Sequence, residues 1–211
     1  MFWLLTSLII LTGTADLLAI WLGRRSWRYL FKPGTMLLII ALAATGQPEA
    51  GPYGWWVLAG LLLSVAGDIF LVLPSDRFIL GLLSFFAAHI LYIAAFQAAG
   101  PVAGSTGPVA LALAAVGLLY FRLLKPGVAE RGGKGLLLPV FLYMTVISVM
   151  VWRAFGTGQP LLIAGALLFY LSDAILAYAR FLRPHRLADL GVMSTYFAAQ
   201  YLLALSTLPL G

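Results

Sequence analysis

Eight mainly apolar stretches follow one another along this chain, most of them close to the twenty or so residues a helix needs to cross a bilayer. They run approximately over 2–22, 31–46, 54–73, 78–98, 107–124, 135–153, 159–180 and 187–208. Each gap carries a helix breaker or a charge. These are Arg24 to Lys32, Gln47-Pro48-Glu49, Pro74-Ser75-Asp76-Arg77, Gly100-Pro101, Lys125-Pro126-Gly127, Gly156 to Pro160, and Arg183-Pro184. Of the 211 residues 63% are hydrophobic and 9% are charged, whereas a soluble domain is about a quarter charged. A soluble core of this size has no room for so much apolar surface. The expectation is an all-α integral membrane protein, a bundle of about eight transmembrane helices. No gap is long enough to separate domains, so 1–211 reads as a single transmembrane domain. Met1 to Ile10 lacks the basic start of a cleaved signal peptide, and its apolar run continues to about Leu22, so it reads as the first membrane helix.

The formal charge is +6, and in a soluble protein that would suggest nucleic acid. Here the basic residues are confined to short loops, so topology and lipid headgroups account for them and no nucleic-acid partner is expected. Arg24, Arg25, Arg28, Lys32, Arg77, Arg122, Lys125, Arg131, Lys134, Arg180, Arg183 and Arg186 fall in the first, third, fifth and seventh loops, and Arg153 alone in the even ones. By the positive-inside rule the odd loops are cytoplasmic. The expected location is a cell's inner (plasma) membrane, multi-pass, with both termini extracytoplasmic. Trp3, Trp21, Trp27, Trp55, Trp56 and Trp152 all lie near span ends and read as an interfacial belt. Two echoes suggest a four-plus-four parallel repeat. Phe31-Lys32-Pro33-Gly34 is matched by Leu124-Lys125-Pro126-Gly127, and Gly67-Asp68-Ile69-Phe70-Leu71 by Ser172-Asp173-Ala174-Ile175-Leu176.

A carboxylate at the centre of a membrane helix costs about 2.5–3.5 kcal/mol on insertion scales, so such residues face a cavity or a partner. Three qualify. Counted back from the basic loops at the helical rise, Asp68 lies about 9 Å in, Asp173 about 10 Å and Asp16 about 12 Å, with His89 deeper at about 18 Å. Tyr92 shares a helix face with His89, as Gln200 does with Tyr196, and Ser172 adjoins Asp173. Lys32 opens the second span at the boundary and can reach inward. Structural readings stand beside the functional ones: Asp68, Asp173 and Asp16 as ion-pair partners of Lys32 or an Arg, and His89, Tyr92, Tyr196 and Gln200 as interhelical hydrogen bonders. Asp76 and Asp189 read as helix caps. There is no Cys, and His89 and His185 are the two histidines. A zinc site asks for more, so neither a metal nor a cofactor is expected. Ser64, Ser84 and Ser172 leave a hydrolase triad open, with nothing in their spacing to single one out.

The run from Gly67-Asp68-Ile69-Phe70-Leu71 through Phe78, Gly81-Leu82, Phe85-Phe86, His89 and Tyr92 resembles the YhhN-like lysoplasmalogenase family. So do Lys32-Pro33, Ser172-Asp173 with Arg180-Phe181, and Thr195-Tyr196 with Gln200, in order along nearly the whole chain. The resemblance implies hydrolysis of the vinyl ether of lysoplasmalogens to a fatty aldehyde and a glycerophospho-ethanolamine or -choline. The expected partners are thus a lysophospholipid substrate and membrane lipid.

That chemistry needs a proton for the β-carbon of the vinyl ether, a carboxylate to stabilise the oxocarbenium ion, and a base for the attacking water. Two aspartates in unlike surroundings can divide these tasks. The expectation makes Asp68 and Asp173 the pair, with the acid unassigned, and His89 the group that positions water or shares the proton. Lys32, Asp16, Tyr92, Ser172, Tyr196 and Gln200 are the expected substrate-binding residues. An apolar tunnel is expected toward the outer half between spans three, four, seven and eight, with Leu71, Phe85, Phe86 and Phe169 as walls. A proton-coupled transporter of a small solute or lipid is the alternative, because it too needs membrane carboxylates. A purely structural bundle would leave them without a role. The sequence leaves oligomeric state open.

Overall fold

The structure is a computed structural model that describes residues 1–73, 77–100, 104, 106–185 and 187–209. Pro74, Ser75, Asp76, Pro101 and Arg186 lie outside the described residues. Among the described residues there are eight α-helices and one short 3-10 turn. They are α1 (Phe2–Trp21), α2 (Arg25–Thr45), α3 (Gln47–Val72), α4 (Phe78–Ala98), α5 (Gly107–Arg131), α6 (Leu137–Thr157), α7 (Pro160–Phe181) and α8 (Ala188–Leu205). All but α2 and α8 are long and apolar enough to cross a membrane by composition alone. Arg25, Arg28 and Lys32 set α2 apart, and Asp189, Tyr196 and Gln200 dilute the apolar run of α8. The chain is an all-α membrane bundle.

Three helix boundaries differ from the sequence reading, each for a physical reason. The second helix begins at Arg25, so Lys32 sits two turns inside it rather than at its mouth. Pro33 falls within that helix. The third begins with a turn at Gln47 and bends at Gly51, whose φ of 55° suits glycine, before Pro52 restarts it. The fifth runs through Lys125-Pro126-Gly127 to Arg131. There Gly127 lies against α7 so closely that a Cβ would stand 2.0 Å from the Phe181 carbonyl oxygen. Leu124 and Val128 bury with Phe181 on either side, so this tripeptide is a packing contact and not a loop.

Between lipid-immersed helices, close packing rather than the hydrophobic effect drives association. The largest contacts join α3 to α4 and α7 to α8, then α1 to α2, with α5 on α6 further round. A four-plus-four repeat places those pairs in register. Met36, Ile39, Leu61, Phe96, Phe169 and Leu203 are fully buried in the main core. Much of the outer surface is apolar, including Leu11, Leu62, Leu111 and Leu119. Trp3, Trp21, Trp27, Trp55 and Trp56 are exposed, in keeping with the belt, whereas Trp152 donates to Thr106 Oγ1 at 2.9 Å.

Candidate active site

Polar side chains from α2, α3, α4, α6, α7 and α8 converge toward the end of the bundle where the basic loops lie. Asp68 lies four residues before the end of α3, about 6 Å in, and Lys32 seven residues after the start of α2, about 10 Å in. Lys32 Nζ stands 3.0 Å from Asp68 Oδ1. From α8, Tyr196 donates to the other oxygen, Oδ2, at 2.6 Å. All three are buried. A buried ion pair is sustained only when its remaining valences find partners, and Tyr196 supplies one.

Asp173 has different company. Its Oδ2 accepts a hydrogen bond from Tyr143 on α6 and lies 3.3 Å from His89 Nε2 on α4. The His89 ring stacks edge-on against Phe169 at 4.7 Å and tilts over Tyr143 at 5.3 Å, which fixes its plane. The Asp173 side chain is the more open of the two, 12% exposed against 3% for Asp68. The α3 carboxylate is held by α2 and α8, and the α7 carboxylate by α6 and α4.

Both carboxylates border one polar vestibule of about 370 Å³. Arg25, Arg28, Tyr29 and Lys32 from α2 form one side, Ser172 and Leu176 from α7 another, and Asp189, Val192 and Tyr196 from α8 a third. A narrow apolar cleft meets it, walled by Leu82, Phe85, Tyr120, Val140, Tyr143, Met144 and Ile147 among others. Leu71, Phe85, Asp173 and Leu176 belong to both spaces. Asp173 therefore stands where a polar chamber gives way to an apolar one.

The cleft departs from the expected tunnel. It runs among α3, α4, α5, α6 and α7, and α8 contributes no wall. The space between α4, α7 and α8 is filled by Phe85, Phe169 and Tyr196, which stack edge-to-face at 5.5–6.0 Å. Leu71 and Phe85 are wall residues as expected; Phe169 is buried in that stack and Phe86 packs at the edge of the core.

Of the other expected site residues, Ser172 borders the vestibule but donates to the Val192 carbonyl at 3.0 Å, bracing α7 against α8. Tyr92 donates to Gln200 Oε1 at 2.8 Å, deeper in the bundle. Neither Tyr92, Gln200 nor His89 borders the vestibule, so they stand behind the carboxylates rather than along the chamber. Asp16 is fully buried, does not border it either, and faces Arg28 Nε at 3.8 Å. Arg28 also donates to Asp189 at 2.7 Å. Asp189 lies in the first turn of α8, whose N-cap is Leu187, and serves as an ion-pair partner of Arg28. Among the described residues no three His, Cys, Asp or Glu side chains converge as a metal site would need.

Sequence reasoning missed Tyr143, and the pair Arg28 and Asp189. A lone Tyr in an apolar run carries no signal. Arg25, Arg28 and Lys32 did carry one, since steps of three and four put all three on one helix face.

The YhhN family model matches residues 27–207. The human lysoplasmalogenase TMEM86B is 35% identical over 164 residues, 75% of this chain and 66% of the human protein, just under two thirds of its length. The lysoplasmalogenase of Mycobacterium bovis is 30% identical over 178 residues, 80% of this chain and 66% of that protein. The uncharacterised membrane protein YhhN of Escherichia coli O157:H7 is 30% identical over 186 residues, 85% of this chain and 86% of its own. No solved structure matches. On the extent of these matches, the chain belongs to the YhhN family.

Proposed function

We propose that this chain is a membrane hydrolase that cleaves the vinyl ether of lysoplasmalogens. The observation that carries the reading is the position of Asp173 at the junction of the polar vestibule and the apolar cleft. A lysolipid has its vinyl ether at the corresponding junction, between a polar headgroup and a single chain. Relatives that bear the name lysoplasmalogenase support the same substrate.

The partners divide the labour. Asp68, bound to the Lys32 ammonium, serves as the carboxylate; Asp173, whose hydrogen-bond partners are a phenol and an imidazole, serves as the acid. Asp173 protonates the β-carbon of the vinyl ether, and the electron pair of the double bond forms the new C–H bond. Tyr143 and His89 then stabilise the Asp173 carboxylate left behind with charge-assisted hydrogen bonds. Asp68 stabilises the oxocarbenium ion and takes a proton from the water that attacks it, giving a hemiacetal. That proton passes to the glycerol oxygen as its bond to carbon breaks, while the hemiacetal hydroxyl returns a proton to Asp173. The products are a fatty aldehyde and a glycerophosphodiester, and both carboxylates recover their starting state. Tyr92 and Gln200 act by holding α4 to α8 behind the site, and Asp16 by anchoring Arg28.

The basic end then faces the cytoplasm of a plasma membrane, the headgroup enters the vestibule from that leaflet, and both termini lie outside. The test uses three purified lysolipids with one headgroup and one chain length, joined by vinyl ether, alkyl ether or ester. The expected result is aldehyde from the vinyl ether and no product from the other two. Absence of aldehyde from folded protein, with intact lipid carried across liposome membranes instead, would replace the hydrolase by a carrier.

A further inference from the structure

The outer half of the vestibule holds charges that the bond-breaking steps leave unused. Lys32 is engaged by Asp68, but Arg28 lies one turn closer to the basic end on the same face of α2, and Arg25 one turn beyond that. Both border the chamber. Arg28 is held between buried Asp16 and the rim residue Asp189, and its Nε is buried without a hydrogen-bond partner. Asp189, in the first turn of α8, is half exposed. The rim therefore offers two guanidinium groups beside one accessible carboxylate. From Arg28 to Lys32, which holds Asp68, is one helical turn, about 6 Å.

We infer that this rim reads a phosphodiester joined to a primary ammonium. Arg25 and Arg28 take the phosphate, and Asp189 takes the ammonium, so the chain selects ethanolamine over choline headgroups. The inference rests on the hydrolase reading above and adds its headgroup specificity. Guanidinium groups match phosphate oxygens in a fork geometry. A primary ammonium donates hydrogen bonds to a carboxylate. A quaternary ammonium has no hydrogen to donate and is bound by cages of aromatic faces. Among the described residues the rim presents Tyr29 alone of that kind, while Phe85 and Tyr196 lie inward beside the carboxylates.

The experiment compares kcat/KM for ethanolamine and choline lysoplasmalogens of one chain length. Wild type should favour ethanolamine by about tenfold, the equivalent of one good interaction. Asp189→Asn should bring the ratio to about one, chiefly by raising KM for the ethanolamine form, and Asp189→Glu should keep the preference. Arg25→Gln should raise KM for both headgroups and leave the ratio in place. A wild-type ratio near one overturns the assignment. So does an Asp189→Asn protein that loses both activities together with the ratio intact, as a purely structural Arg28–Asp189 tie would give. A binding arm needs no turnover: soluble glycerophosphoethanolamine should raise the wild-type melting temperature more than glycerophosphocholine or inorganic phosphate. Equal shifts from all three would mean a general anion site and overturn the headgroup reading. Selective binding without aldehyde release would sink the hydrolase and spare the rim.

Discussion

Asp68 and Asp173 are alike as residues and unlike in their partners, and that difference makes separate predictions for each. Asp68→Asn leaves Lys32 as a buried cation without its counter-charge, a loss of about 3–5 kcal/mol, so the variant should melt well below wild type. Lys32→Met combined with Asp68→Asn removes both charges. It should recover most of the melting temperature and none of the turnover, which thermal unfolding and aldehyde assay on the same sample would reveal. Recovery of both would make the pair structural. Tyr143→Phe should slow turnover by roughly ten- to a hundredfold, the worth of one hydrogen bond to a charged group, with little change in substrate KM. The carboxylates, Lys32 and His89 were legible in the sequence because a charge or imidazole inside a membrane helix is costly and conspicuous. An ion pair of Lys32 with one of the aspartates was legible too, but not which aspartate, nor the tyrosines that hold each carboxylate. Tyr196 and Asp68 are 128 residues apart, and no local period encodes which distant helix supplies a partner.

Helices as elements were easier to read than their ends. Apolar length gave the order and number of spans, but the first two turns of α2 and the last two of α5 carry charges and a proline, which read as loops until packing is seen. The echo of Lys-Pro-Gly falls in unlike places, two turns into α2 and near the end of α5, so it does not mark a repeat. The aspartate echo does fall on corresponding helices. Within α3, Gly67 is pressed by the Phe85 ring, which a Cβ would meet at 2.6 Å. Because Phe85 borders both the vestibule and the cleft, Gly67→Ala should displace it and cut turnover more than it lowers helix content or membrane insertion. Gly34 has nothing within 4 Å of an added Cβ, so Gly34→Ala should be neutral or stabilising by up to about 1 kcal/mol. Circular dichroism and activity on both variants would check this contrast. Equal loss from the two would mean that α3 packing does not shape the site.

At the scale of the molecule, the proposed orientation rests on the charge asymmetry of the loops, and with it the proposed entry of substrate from the cytoplasmic side. A reporter joined after Gly211 should be active only on the extracytoplasmic side; a cytoplasmic signal would turn the vestibule to the opposite leaflet. Activity should survive exhaustive chelation, and its recovery only on adding metal would recast the aspartates and His89 as ligands. The central claim is that Asp173 delivers a proton to carbon in a vinyl ether. It is tested most directly by mass spectrometry of the fatty aldehyde released from a lysoplasmalogen in heavy water at early times. Wild-type protein should release aldehyde bearing one deuterium on the carbon next to the carbonyl. Folded Asp173→Asn should release it about 10²–10⁴-fold more slowly, the usual contribution of a general acid. Deuterated aldehyde from Asp173→Asn at the wild-type rate would contradict the account.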